Sequence, residues 1–205
     1  MTSSRIAQWD ERFATDGFIF GREPNAFLRR AAVHIAPGGS VLAVADGEGR
    51  NGVWLARQGF RVHAVDGSAV ALAKSAKLAA EHGVMLRTEC IDLTAWQWPQ
   101  AAYDAVVAIF IQFATAAEQP ALFAGMAHAL KPGGVLLLEG YRPKQLEYGT
   151  GGPKQVENLY TRALLETAFA GLQILELREY DAAIEEGAAH SGMSALIDLV
   201  ARRPA

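Results

Sequence analysis

The sequence predicts an α/β domain with a doubly wound, mostly parallel sheet, and three observations carry that expectation. Short apolar runs alternate with stretches of helical periodicity along most of the chain, which is the pattern of a parallel sheet with helices on both faces. The first of these runs empties into a glycine-rich turn that opens a helix. The chain has 205 residues, 51% apolar and 20% charged, the balance of a soluble globular unit large enough for one sizeable core. Residues 1–205 are therefore read as a single domain.

The elements follow in order. Residues 5–14 form a short amphipathic opening helix, and Pro24 suits the start of a second, along which Phe27, Leu28, Ala31, Ala32 and Ile35 recur at helical spacing. Pro37-Gly38-Gly39 ends it, and residues 40–45 (SVLAVA) read as a buried strand. Residues 50–58 are helical and stop at Gly59. Residues 61–65 alternate as a second strand ending on Asp66, and Ser68 caps a helix that runs to about His82. Residues 84–91 read as a third strand, which would bury Cys90, and Tyr103 to Phe110 as a fourth. A helix over 117–130 is stopped by Lys131-Pro132-Gly133-Gly134, and a fifth strand opens at Val135. Residues 143–158, rich in glycine, proline and lysine, are a long loop; 161–169 return to helix, and strands over 172–180 and 193–202 close the chain.

Composition narrows the partners. A net charge of −3 and a pI near 6.0 give no basic stripe, so no nucleic-acid partner is expected. Five scattered histidines and one cysteine lack ligand spacing, so no metal is expected. No apolar run is long enough to span a membrane, and the opening MTSSRIAQWDERF has no apolar core of the signal-peptide kind; the expectation is a cytoplasmic protein.

Ligands of doubly wound sheets bind beyond the carboxyl ends of the strands. That rule points to the turn Ala45-Asp46-Gly47-Glu48-Gly49-Arg50-Asn51-Gly52, where Gly47, Gly49 and Gly52 spell G-x-G-x-x-G, and to Asp66 at the end of the second strand. Such a turn fits a nicotinamide dinucleotide as well as another adenosyl ligand. Against a short-chain dehydrogenase, none of the five tyrosines is followed four positions later by lysine. Instead a second acid, Asp92, follows the third strand.

The runs V41-L-A-V-A-D-G-E-G-R-N51, A64-V-D-G-S68, D92-L93, Y103-D-A-V-V-A-I-F110 and L130-K-P-G-G-V-L-L-L-E139 together resemble class I S-adenosylmethionine-dependent methyltransferases. E48-G-R-N51, E23-P-N25 and L146-E-Y-G-T-G-G-P-K154 are similar to the small stand-alone branch that includes tellurite-resistance and thiopurine methyltransferases. The resemblance implies a Rossmann-like, seven-stranded, mostly parallel sheet with an antiparallel last strand. It implies S-adenosyl-L-methionine as cofactor, bound along Ala45, Asp46, Gly47, Gly49 and Asn51, with Asp66 on the ribose hydroxyls beside Gly67 and Ser68. Asp92 would take the adenine amino group with Leu93 behind it, and Ile109 would border the cofactor. Two positions depart from the family: an acid is usual at Ala43, where it helps hold the cofactor's ammonium, and glycine at Ala45. Asp46 is the candidate substitute for the missing charge.

The expected activity is methyl transfer to a small-molecule acceptor, a soft or anionic nucleophile that needs no general base. The alternatives are an S-adenosylmethionine-binding protein with weakened or lost catalysis and an NAD-dependent oxidoreductase. Trp9, Phe20, Gln112, Tyr141 and Tyr148 are the candidate acceptor-pocket residues. The N-terminal segment 1–25 and the loop 143–158 are the expected active-site cover, with Arg142, Lys144 and Lys154 as candidate anion-binding groups. No catalytic residue is assigned.

Overall fold

A computed structural model describes residues 3–188 and 190–205, so the first two residues of the expected N-terminal cover lie outside the described residues. The strands are β1 (Ser40–Val44), β2 (Arg61–Asp66), β3 (Arg87–Cys90), β4 (Tyr103–Ile109), β5 (Leu130–Tyr141), β6 (Gln173–Glu185) and β7 (Ser191–Arg202). They form one sheet in the order β3-β2-β1-β4-β5-β7-β6, in which β7 runs antiparallel to both neighbours. The helices are α1 (Ser3–Phe13), α2 (Ala26–Ala31), α3 (Arg50–Arg57), α4 (Ala69–Glu81), α5 (Gln119–Ala129), α6 (Gln145–Tyr148) and α7 (Arg162–Ala168). Among the described residues no helix is long and apolar enough to cross a membrane.

Strand alternation divides the core. Leu42 and Val44 of β1 face one layer, with Phe123 and Met126 of α5 and Leu165 of α7; Val41 and Ala43 face the other, with Phe27, Leu28 and Leu55 of α2 and α3. β1 pairs with β2 on one side and β4 on the other, so the order of strands reverses between β1 and β4, where ligands of such sheets bind.

Several elements differ from the sequence expectation for identifiable reasons. The second helix starts after Pro24, at Ala26, because the Asn25 side chain accepts from Leu28 N at 2.9 Å and caps it. β3 starts only at Arg87, because the Val84 N–H is taken by Ala79 O as α4 unwinds. β3 is an edge strand, so Cys90 is exposed rather than buried. The 143–158 segment contains α6 and a 3-10 turn over Val156–Asn158; Gln145 Oε1 accepts from Ala195 N at 2.8 Å and ties it to β7. β6 and β7 are longer than expected. Pairing of β5 with β7 ends at Tyr141 opposite Leu196, whereas β6 and β7 remain paired as far as Glu185 and Ser191. Their hairpin therefore overhangs the carboxyl edge of the sheet.

Candidate active site

Under that overhang, at the switch point, lies a cavity of about 370 Å³. Its floor is the turn after β1, formed by Ala45, Asp46, Gly47, Glu48, Arg50 and Asn51, together with Asp66 at the end of β2. The segment after β4, Ile109 to Phe113, and Tyr141 at the end of β5 form one wall. Trp9, Arg12, Phe13 and Phe20 of the N-terminal segment form the opposite wall, and Gly151 to Pro153 and His190 complete the rim.

The backbone of the floor is set by strained turns. Gly47 and Gly49 have φ of +58° and +89°, and a Cβ on Gly49 would lie 2.3 Å from Ser75 Oγ, so only glycine fits there. Ala45, where the resembling family has glycine, is held at φ +48°, and Phe110 after β4 at +54°. A non-glycine residue in the left-handed region costs about 1–2 kcal/mol, and both residues sit on the rim of the switch point.

Two carboxylates organise the floor, Asp66 buried and Asp46 half-buried. Asp66 accepts from Gly47 N at 2.9 Å and Ser68 N at 2.8 Å. Burial raises its pKa, opposed by the Ser68 and Gly47 N–H groups. Asp46 accepts from Gly52 N at 3.0 and 3.2 Å, capping the start of α3. Burial, helped by the charge of Asp66, pushes the Asp46 carboxyl up to about 7. Asp46 thus borders the cavity with its oxygens already engaged, and the Ala43 side chain is packed in the core among α2 and α3 residues.

The E48-G-R-N51 turn also fastens the N-terminal segment. Glu48 accepts from Phe20 N at 3.3 Å and from Lys74 Nζ at 2.9 Å. Asn51 Oδ1 accepts from Asn25 N at 3.0 Å. Arg50 pairs with Glu186 on the β6–β7 hairpin at 2.7 Å, and Asn25 Nδ2 donates to the same carboxylate at 3.0 Å. Gly187 packs so closely on Gly21 that a Cβ there would lie 2.3 Å from Gly21 N. Two short motifs distant in sequence, E23-P-N25 and E48-G-R-N51, therefore meet and lock the cover.

Of the residues singled out from sequence, Ala45, Asp46, Gly47, Asn51, Asp66 and Ile109 line the cavity, as do Trp9, Phe20, Gln112 and Tyr141. Gly49 lies beneath, as the N-cap of α3. Ser68 caps α4, and its hydroxyl donates to Asp10 of α1 at 2.5 Å. Gly67 accepts from the Cys90 thiol, and Leu93 is buried in the core. Asp92 stands beyond β3 with Oδ1 accepting from Thr94 N at 2.9 Å. Tyr148 is turned away, its hydroxyl donating to Asp181. Gln112 is fully engaged: its amide donates to Tyr141 O at 2.9 Å and accepts from Tyr141 N at 2.6 Å. Arg142 and Lys144 bind Asp181 instead of facing the cavity.

Among the cavity-lining groups that sequence reasoning passed over as site residues are Arg12, Glu48, Arg50, Phe110 and His190. His190 is buried with its ring 4.6 Å from Phe20, 4.5 Å from Phe110 and 5.7 Å from Tyr141. Burial and the charges of Arg50 and Arg12 push its pKa down to about 3, so it is neutral. Gly187 in the hairpin turn, at φ +83°, is the local hint that this loop folds tightly.

Comparison with known proteins adds to this geometry. Residues 41–134 match a family described as a methyltransferase domain. A glycine/sarcosine N-methyltransferase of Halorhodospira halochloris is 31% identical over 141 residues, covering 65% of this chain and 48% of that protein. The chain thus spans about half the length of that curated relative. TehB of Haemophilus influenzae superposes with a TM-score of 0.71 at 17% identity over 97% of this chain and 67% of that one. The N-methyltransferase NodS of Bradyrhizobium japonicum WM9, in complex with S-adenosyl-L-homocysteine, gives 0.71 at 13% identity over 98% and 99%. At these identities the two structures establish a shared fold. The matched domain replaces the nicotinamide reading of the glycine turn.

Proposed function

We propose that this chain, which belongs to the class I S-adenosylmethionine-dependent methyltransferases, transfers a methyl group to a small-molecule acceptor bound in the cavity at the switch point. The observation that carries the reading is the meeting of the glycine turn and the buried Asp66 carboxylate with an aromatic wall across a single cavity.

The residues present fit the cofactor. Gly47 brings bare backbone to the floor, Gly49 bends the turn beneath it, and the Asp66 carboxylate stands at the edge of that floor as an acceptor for ribose hydroxyls. When bound, S-adenosylmethionine supplies a methyl carbon already activated by its sulfonium. The chain's own task is to bind, align and exclude water. Phe13, Phe20, Phe110 and Tyr141 make most of the acceptor side apolar, and Gln112 fixes the start of the 141–160 segment instead of facing a substrate. His190, neutral down to about pH 3, is a hydrogen-bonding group and too weak a base for a protonated amine. With both Asp46 oxygens held by Gly52 N, this favours an acceptor that arrives unprotonated: a thiolate, a selenolate or an oxyanion. The segments Trp9–Gly21 and Gly151–Pro153 act as the cover that shields the transferring group.

Transfer of labelled methyl from S-adenosylmethionine to a panel of thiols, selenols, oxyanions and amines tests this. Turnover confined to the first three classes is expected. Preferential turnover of amines would refute the acceptor class, and cofactor binding without turnover on any of them would leave a binding protein.

A further inference from the structure

Arg50 is 6% exposed, yet its guanidinium is only half used. Nη2 is committed to Glu186 at 2.7 Å, while Nη1 is buried without a partner. A guanidinium presents its N–H groups as a rigid fork suited to carboxylates and other oxyanions, and buried donors of this kind are rarely left unpaired. Glu186 does not absorb the fork's full capacity, because the same carboxylate also takes N–H groups from Asn25 and Ala26.

A second unpaired group faces the same cavity. His190 Nδ1 is also buried without a partner. Glu186 N donates to His190 O at 2.8 Å, so one tight turn grips Arg50 through its carboxylate and presents the imidazole. Arg12 adds a further cation on the rim, its guanidinium 4.3 Å over the Trp9 ring. Polar groups that converge on a pocket with aromatic walls are what orient a small molecule by its polar end, and the carboxylates Asp46, Glu48 and Asp66 line the same cavity.

We propose that Arg50 Nη1 is the recognition point for a carboxylate or comparable oxyanion on a molecule held in the cavity. The proposal rests on the methyltransferase reading above, under which two molecules bring that chemistry: the amino-acid tail of the cofactor, and an anionic acceptor.

Arg50→Lys separates this role from the structural one. A lysine ammonium retains the ion pair with Glu186 but offers no second N–H of the fork. Calorimetry on both proteins compares S-adenosylhomocysteine with methylthioadenosine, which lacks the amino-acid tail. It then compares benzoate with benzamide on protein saturated with S-adenosylhomocysteine. A loss of about tenfold or more for S-adenosylhomocysteine, with methylthioadenosine within about twofold, assigns the oxyanion to the cofactor. The same loss for benzoate, with benzamide unchanged, assigns it to the acceptor. The proposal is overturned if neither pair separates between the two proteins, whether because nothing changes or because charged and neutral ligands weaken together. Should Arg50→Lys melt early, the double variant Arg50→Gln/Glu186→Gln removes both charges at once and is read the same way. Failure of the wild-type chain to bind either adenosyl ligand sinks the cofactor reading itself, whereas binding of both with no effect of the substitution removes only the anion site.

Discussion

Replacing Asp66 separates its two roles. In Asp66→Ala the Gly47 and Ser68 N–H groups, which meet the carboxylate at 2.9 and 2.8 Å, lose their acceptors in a buried setting. An orphaned buried donor costs about 1–3 kcal/mol, and loss of a charge already disfavoured by burial offsets part of that. A net destabilisation of about 2 kcal/mol follows, which for a chain of this length lowers the melting temperature by roughly 4–8 °C. The cofactor loses on a similar scale. Two ribose hydroxyls without their charged acceptor weaken S-adenosylhomocysteine by about 1.5–3 kcal/mol, roughly 10- to 150-fold. Asp66→Asn isolates the second effect, because it keeps the shape and one acceptor oxygen. Calorimetry with S-adenosylhomocysteine and thermal unfolding are measured on all three proteins. If Asp66→Asn binds within about threefold of wild type while Asp66→Ala melts early, Asp66 is a turn brace and its assignment to the ribose is refuted.

Three further outcomes are expected. Ala45→Gly relieves a φ of +48° and, after the extra backbone entropy of glycine, stabilises the chain by up to about 1 kcal/mol in thermal unfolding; destabilisation would show that the alanine methyl is needed for packing. Gly187→Ala, whose Cβ would lie 2.3 Å from Gly21 N, lifts the hairpin from the N-terminal segment and weakens S-adenosylhomocysteine binding more than it lowers the melting temperature; unchanged binding would detach the hairpin from the site. For His190, folding holds the pKa near 3 against about 6.5 unfolded, so between these values the unfolded chain binds a proton that the native state refuses. Its contribution to stability is therefore present above pH 6.5 and lost as pH falls toward 3; His190→Gln should flatten the decline in denaturation free energy between pH 6.5 and 4.5, and an unchanged slope would contradict the buried, neutral imidazole.

What could be read from the sequence was what local physics fixes. Periodicity and punctuation located all seven strands, and the glycine turn with Asp66 nineteen positions after Gly47 marked the floor of the cavity before any geometry was known. The antiparallel last strand is implied by the family likeness, and the short loop between the last two strands, with no crossover helix, agrees with it. The features missed depend on pairing between distant segments. Cys90 has the pattern of a buried strand residue, but β3 lies at the sheet edge, which only the strand order decides. His190 reads as a surface loop residue until the overhang of β6 and β7 carries it over the carboxyl edge. Arg50 looks like an ordinary first-turn residue of a helix, because its partner Glu186 lies at the far end of the chain. Tyr148 and Lys144 misled for the converse reason: composition marked their loop as a cover, but α6 and Asp181 turn both away from the cavity.

The central claim is that the glycine turn and Asp66 hold an adenosyl-sulfonium cofactor. Calorimetric titration of the wild-type chain with S-adenosylmethionine, S-adenosylhomocysteine and NAD tests it directly. The account predicts micromolar binding of the first two, about −8 kcal/mol, and none of NAD at the same concentration. Tight binding of NAD with no binding of either sulfur-bearing ligand would contradict it.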